Sequence, residues 1–211
     1  MRIAKSHVAQ DSDWREGFLF VGNQLALDFL NTRPVIEGAA KELLPDFDAL
    51  LRWFEVAGVL DHRVAVTLRR TWAASAEAER VVQQIRSWRE NLRTQVAAWI
   101  SGSALTSSTQ QQLNRLMQQH PMLTRFKTSG NQASTELWFD PHSPEDLFAP
   151  LAQAAASLFA HLDRNRIRRC GNCVLLFYDT SKKGTRKWCS MRLCGNRLKV
   201  AAYTERKRSE E

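Results

Sequence analysis

Four cysteines, Cys170, Cys173, Cys189 and Cys194, are the only ones in a chain of 211 residues, and all lie within its last 42. Cys170 and Cys173 bracket Gly171-Asn172; fifteen residues then lead to Cys189, and four more separate it from Cys194. Two thiol pairs at this spacing suit a single tetrahedral ion. The tight turn of a Cys-x-x-Cys knuckle brings two sulfurs to one side of the metal, and Gly171 and Asn172 both tolerate such a turn. The surrounding segment is too short and too polar to build a core alone, so one structural zinc ion per chain is expected to fold it. A Cys-x-x-Cys can also be a redox pair, but the second thiol pair and the missing strand-helix-strand context speak against that.

Around the thiols lies the second chemical signal, positive charge. Residues 161–211 hold 14 Lys and Arg against 5 Asp and Glu, whereas residues 1–160 hold 16 against 17. Four thiolates on one divalent ion would lower the basic block by about two charges and leave it strongly cationic. Such asymmetry marks a footprint for a polyanion; its plainer reading is a solvated, solubilising tail. Arg186, Lys187, Arg192, Arg197 and Lys199 are the candidate nucleic-acid contacts, and Arg164, Arg166, Arg168 and Arg169 extend the same surface unless they pair with acids of the body. Arginine can read a guanine edge with two hydrogen bonds, while lysine mostly neutralises phosphate. Asn196 and Arg197 lie two and three residues after the ligand Cys194, so support of the metal loop is an equal role for them. Trp188 and Phe177 are expected to form the mini-core beside the metal.

In the remainder, Asn23, Asp28, Asn31 and Thr32 form the most distinctive polar set. They could bind a small effector, or hydrogen-bond neighbouring backbone and fix their helix, with Arg86, Arg89 and Glu90 as candidate partners. The five histidines are scattered. No glycine-rich phosphate loop, nucleophile elbow, zinc-protease motif or paired carboxylates stand out, so no enzymatic activity is expected.

The elements that must position these residues are mainly α-helical. Residues 1–16 read as a loose arm, followed by a short apolar stretch, Phe18 to Val21. A helix is predicted from about Asn23 to Asn31, ended by Arg33-Pro34. Asp46 caps the next, with Phe47, Leu50, Leu51 and Phe54 as its buried stripe. After Asp61, Arg63 to about Gly102 reads as mostly helical, and Val81, Ile85, Trp88, Leu92, Val96 and Trp99 mark one long helix within it. Another spans Thr106 to about Gln119. Met122–Lys127 and Ser134–Phe139 read as one small hairpin, and Ser143-Pro144-Glu145 starts a helix running to Leu162. In the cysteine block, Val174–Tyr178 is predicted as a strand returning through Thr185–Trp188, with Ser190 capping a last helix that carries Cys194, Arg192, Arg197 and Lys199. The resulting division is a helical domain over 1–163 and a metal-stapled module over 164–211.

Composition sets the outer limits. At 44% hydrophobic and 25% charged residues the chain reads as globular. No apolar run reaches the roughly 18 residues that span a bilayer, and the first residues lack the apolar region of a signal peptide. The cytoplasm is the expected compartment, with no membrane partner, and there clustered cysteines hold metal rather than disulfides.

Three segments, Cys170-Gly171-Asn172-Cys173, Leu176 to Met191, and Cys194-Gly195-Asn196-Arg197, together resemble the CGNR zinc finger. Gly22 to Thr32, reading GNQLALDFLNT, resembles the ABATE domain that precedes this finger in bacterial proteins. The resemblance implies a stress-related transcription regulator with a DNA-binding finger; if it binds DNA, association with the nucleoid is expected. The helical domain would then be a sensor or oligomerisation module, and a single small finger would gain affinity from a homodimer. An RNA-binding protein using the same basic surface, and a finger that docks an acidic protein, are the alternatives.

Overall fold

The computed structural model describes residues 13–36 and 38–195. Its order begins with a tight hairpin, β1 (Trp14–Arg15) and β2 (Phe18–Leu19), and a short helix α1 (Leu25–Leu30). A second tight hairpin follows, β3 (Val35–Ile36) and β4 (Ala39–Ala40). Then come α2 (Phe47–Val56), α3 (His62–Trp72), α4 (Ala76–Ile100) and α5 (Ser107–Gln119). The hairpin β5 (Leu123–Ser129) and β6 (Gln132–Trp138) precedes α6 (Phe148–His161), which is entered through a 3-10 turn, Pro144–Leu147. The cysteine block holds β7 (Ile167–Arg169), β8 (Leu176–Tyr178) and one wide helical turn, Met191–Gly195. No helix of the described residues is long and apolar enough to cross a membrane.

Local chemistry explains the helix boundaries. The Asp46 carboxylate accepts from the Ala49 amide at 2.8 Å, the Ser75 hydroxyl from Ala78 at 3.0 Å and the Thr106 hydroxyl from Thr109 at 3.1 Å, each satisfying an orphan N–H of a first turn. The Asp146 carboxylate closes the start of the Pro144 turn by accepting from the Ser143 and His142 amides, both at 2.9 Å. α4 buries Val81, Ile85, Trp88, Leu92 and Val96 along one stripe. The short α1 lies at the centre of the body. Leu27, Phe29 and Leu30 have almost no exposure, and the helix packs on α4, α6 and β8. Phe29 sits between Trp53 and Trp88, its ring centroid 5.9 and 5.8 Å from theirs.

The body differs from the sequence reading in three places. Residues 13–16 are not a loose arm: Glu16 and Gly17, both at positive φ, make the two-residue turn that folds β1 onto β2. The β3–β4 pair adds a third hairpin beside the expected one, with Gly38 at a positive φ in its turn. The helical run from Arg63 breaks after Trp72, where Ser75 starts α4 afresh.

In the cysteine block the hairpin pairs differently from expectation. β8 does not return through Thr185–Trp188; it pairs antiparallel with β7, placing Arg168 opposite Phe177. The knuckle is therefore the loop of the hairpin, closed by the Cys170 amide donating to the Leu175 carbonyl at 2.9 Å. Lys187 gives only its carbonyl, accepting from the Gly171 amide at 3.0 Å. The segment 179–186 cannot be a strand turn because Asp179 gathers it. This fully buried carboxylate accepts from the Ser181 and Arg186 amides at 2.9 and 2.8 Å.

Candidate metal centre and nucleic-acid interface

The ligand atoms of Cys170, Cys173, Cys189 and Cys194 lie within 4.8 Å of one another. Cys173, Cys189 and Cys194 form a triangle with sulfur separations of 3.7 Å. Tetrahedral zinc with Zn–S bonds of about 2.3 Å has sulfur–sulfur edges of about 3.8 Å, so this thiol set fits the ion. The distances are far beyond the roughly 2 Å of a disulfide, and all four cysteines are free.

Each ligand is placed by a separate piece of backbone. The knuckle supplies two sulfurs from the β7–β8 loop. Gly171 lets the Trp188 ring close over the knuckle: a Cβ there would stand 3.1 Å from the ring, a tight contact. Cys194 is carried by the turn that Ser190 starts, its hydroxyl accepting from the Arg192 amide at 3.0 Å, while the Cys194 and Gly195 amides both donate to the Ser190 carbonyl at 3.1 Å. This cap is as the sequence predicts; the remainder of the predicted helix, with Asn196, Arg197 and Lys199, lies outside the described residues.

The electrostatics of the bare thiols show why a cation belongs here. A hydrogen bond from the Cys189 thiol, helped by the Leu175 amide against burial, brings Cys173 down to about 5. That same bond, burial and the neighbouring sulfur charges push Cys189 far above the ordinary thiol range. Burial, with the Cys173 and Cys170 sulfurs, raises Cys194 to about 11 against a bond from the Asn172 side chain. Four sulfurs this close cannot all ionise together; a divalent ion removes the conflict.

The module is not walled off from the body. Its small core consists of the buried cysteines, Leu175 and Phe177 together with Leu19 and Val21 from the N-terminal segment, flanked by Trp14 and Trp188. Ser190 also donates to the Asp13 carboxylate.

The polar set around α1 completes this junction. Because β7 covers one edge of β8, the N–H and C=O of Leu176 and Tyr178 point the other way, toward the body. All four are satisfied there. The Asn31 amide donates to the Leu176 carbonyl at 2.8 Å and accepts from its N–H at 2.9 Å. Asn23 donates to the Tyr178 carbonyl at 2.9 Å, and the Gly22 carbonyl accepts from the Tyr178 amide at 2.8 Å. Asn31 and Asn23 thus act as a substitute strand capping an open edge.

Asp28 and Thr32 hold this edge cap in place. Asp28 accepts from the Gly22 amide at 2.7 Å, and burial raises its carboxyl to about 7 despite that bond and the charge of Arg15. A Cβ on Gly22 would come within 2.8 Å of both the Asp28 amide and Leu27, so only glycine fits. The Thr32 hydroxyl donates to the Phe29 carbonyl and accepts from Arg89, which is itself 1% exposed and bonded to both oxygens of Glu42 at 2.8 and 2.6 Å. Arg86 meets Glu42, and Glu90 meets Arg89, Arg33 and Arg93, rather than the α1 set.

The candidate nucleic-acid residues within the described chain lie on the finger's surface. Lys187 and Arg192 are exposed. Arg186 is a brace: its guanidinium lies over Phe177, 4.9 Å from the ring centre, and donates to the Cys189 carbonyl at 2.6 Å. Arg166 donates to the Asp179 and Ser181 carbonyls at 3.1 and 2.9 Å, and Arg168 reaches the Gly184 carbonyl. Sequence reasoning missed Asp179 as the organiser of this loop, and Leu19 and Val21 as core of the finger. Their only signal was an apolar run too short for a strand of its own.

Comparison with known proteins gives two adjoining matches. The ABATE family model, described as "Putative stress-induced transcription regulator", matches residues 23–162, and the CGNR zinc finger matches residues 166–207. No curated protein matches the chain. With the first match covering well over half of the chain, and four thiols set for one zinc ion in the second, the chain belongs to the ABATE family and carries a CGNR zinc finger.

Proposed function

We propose that this chain is a non-enzymatic, DNA-binding transcription regulator of the cytoplasm that grips duplex DNA with its zinc-stapled basic block. The helical body serves as sensor or oligomerisation module. The observation that carries this reading is the segregation of charge: 14 Lys and Arg against 5 Asp and Glu in residues 161–211, beside a body of nearly balanced charge. A basic surface next to a neutral one draws a polyanion to one side of the molecule. Two of the five carboxylates, Asp163 and Asp179, are engaged with backbone amides at 2.9 Å or less and subtract little from that surface. Arg192, exposed on the turn that carries Cys194, is the residue this reading assigns to a base edge.

The test is a binding titration of the zinc-loaded full chain against duplex DNA and structured RNA at matched salt. Log affinity for duplex should fall linearly with log salt, by about 0.9 per phosphate neutralised. In selection from a randomised duplex pool, Arg192→Ala should relax preference at one position, a loss of about 1–3 kcal/mol there. Tighter binding to RNA would move the function to RNA. Indifference to both at physiological salt would leave an acidic protein as the partner.

A further inference from the structure

The junction of body and finger holds an open groove of about 500 Å³. Its walls are Ile100 at the end of α4, Arg164, Arg168 and Arg169 from the linking turn and β7, and Arg186 and Lys187 from the finger loop. Five of the ten lining residues are Arg or Lys, and none is Asp or Glu. Two of these cations are already committed. Arg186 is braced on Phe177 and the Cys189 carbonyl, and Arg168 bonds the Gly184 carbonyl and lies 3.6 Å from the Asp179 carboxylate. Arg164, Arg169 and Lys187 are exposed, and among the described residues no hydrogen bond or ion pair holds their side chains.

A pocket for a small ligand is concave, enclosed and mostly apolar, with a few convergent polar groups. This groove is open and half cationic. A cleft lined by one sign of charge focuses its field along its length and attracts a chain of opposite charge. We infer that the groove is the track for one sugar-phosphate strand of bound DNA, with Arg164, Arg169 and Lys187 as its phosphate contacts and Arg168 and Arg186 as fixed background charge. The inference rests on the nucleic-acid reading above and extends it. The main phosphate grip then lies at the body–finger junction and not only on the turn bearing Arg192, so the body is held against the DNA. Phosphate contacts position a protein without reading sequence, which assigns orientation to the groove and base preference to the turn.

The experiment is a salt series with duplex DNA on the full chain and on Arg164→Ala/Arg169→Ala/Lys187→Ala, with zinc content and thermal unfolding measured for each. The three side chains are exposed and, among the described residues, unbonded, so folding should be unchanged. The slope of log affinity against log salt should fall by about three, equally for all duplex sequences, and Arg164→Lys/Arg169→Lys with Lys187 kept should restore it. Arg115→Ala, an exposed arginine of α5 outside the groove, should leave the slope as it is. A wild-type chain that ignores DNA at all salt concentrations would sink the DNA-binding reading itself. Wild-type binding with an unchanged slope in the triple variant would overturn the groove alone. Displacement of DNA by micromolar inorganic pyrophosphate at constant ionic strength would also overturn it, making the groove a small-anion pocket.

Discussion

At the scale of single residues, the decisive groups are polar and buried. Asp28 ionises at 3.8 in an unfolded chain, but burial raises it to about 7 in the fold. The folded state therefore holds more protons than the unfolded state between those values. The stability this gives is fully present below pH 3.8 and is lost as pH rises through about 7. Asp28→Asn keeps an oxygen for the Gly22 amide and cannot ionise. Urea unfolding of both proteins across this window should show the variant gaining on the wild type as pH rises, by a few kcal/mol in order of magnitude, and then levelling. A stability difference independent of pH would mean that Asp28 is not buried as a neutral acid. Arg89 is the opposite case: a buried cation whose charge is matched by Glu42 and Glu90 and which also donates to the Thr32 hydroxyl.

At the scale of elements, β8 is the hinge of the architecture. It is paired on one edge by β7 and on the other by Asn31, Asn23 and Gly22. Its position depends on the knuckle, because the Cys170 amide closes the hairpin on Leu175. A thiolate zinc site contributes on the order of 10 kcal/mol to folding, more than so short a hairpin can supply by packing. Cys173→Ser should therefore release the metal, and the Leu176 and Tyr178 amides should lose hydrogen-exchange protection together with the Gly22 amide that Asp28 holds. The helices α2 to α6 should stay protected. Zinc at one equivalent in the variant, or full protection of β8 without zinc, would show that the metal does not organise this edge.

At the scale of the whole molecule, the helical body and the finger are contiguous in sequence but share a core. Leu19 and Val21 are buried among the cysteines and Phe177. A chain ended at Leu162 should keep its helical signal but uncover these residues and strand the Asn23 and Asn31 amides. It should melt below the full chain, bind a hydrophobic dye, and lose affinity for DNA with the basic block. An unchanged melting temperature would show that the body needs nothing from the finger. The expectation of a functional split near residue 163 thus carries an energetic cost that composition alone did not show.

The sequence by itself determined the thiol spacing and its metal, the placement of charge, and most of the helices, because each depends on neighbours a few residues away. The cap at Asp46 and the stripe from Val81 to Val96 could be read directly from the chain. Tertiary structure decided what Asn31 does, because its partner, Leu176, lies 145 residues away. It also decided which strand pairs with β8. Both candidates flank it at short range, and the choice falls to β7 because Asp179 fastens the following segment to the Ser181 and Arg186 amides instead. Helical period and ligand spacing are local and repeat along the chain. The satisfaction of one open strand edge by two asparagines and a glycine carries no period, and it exists only once the two ends of the chain have been brought together.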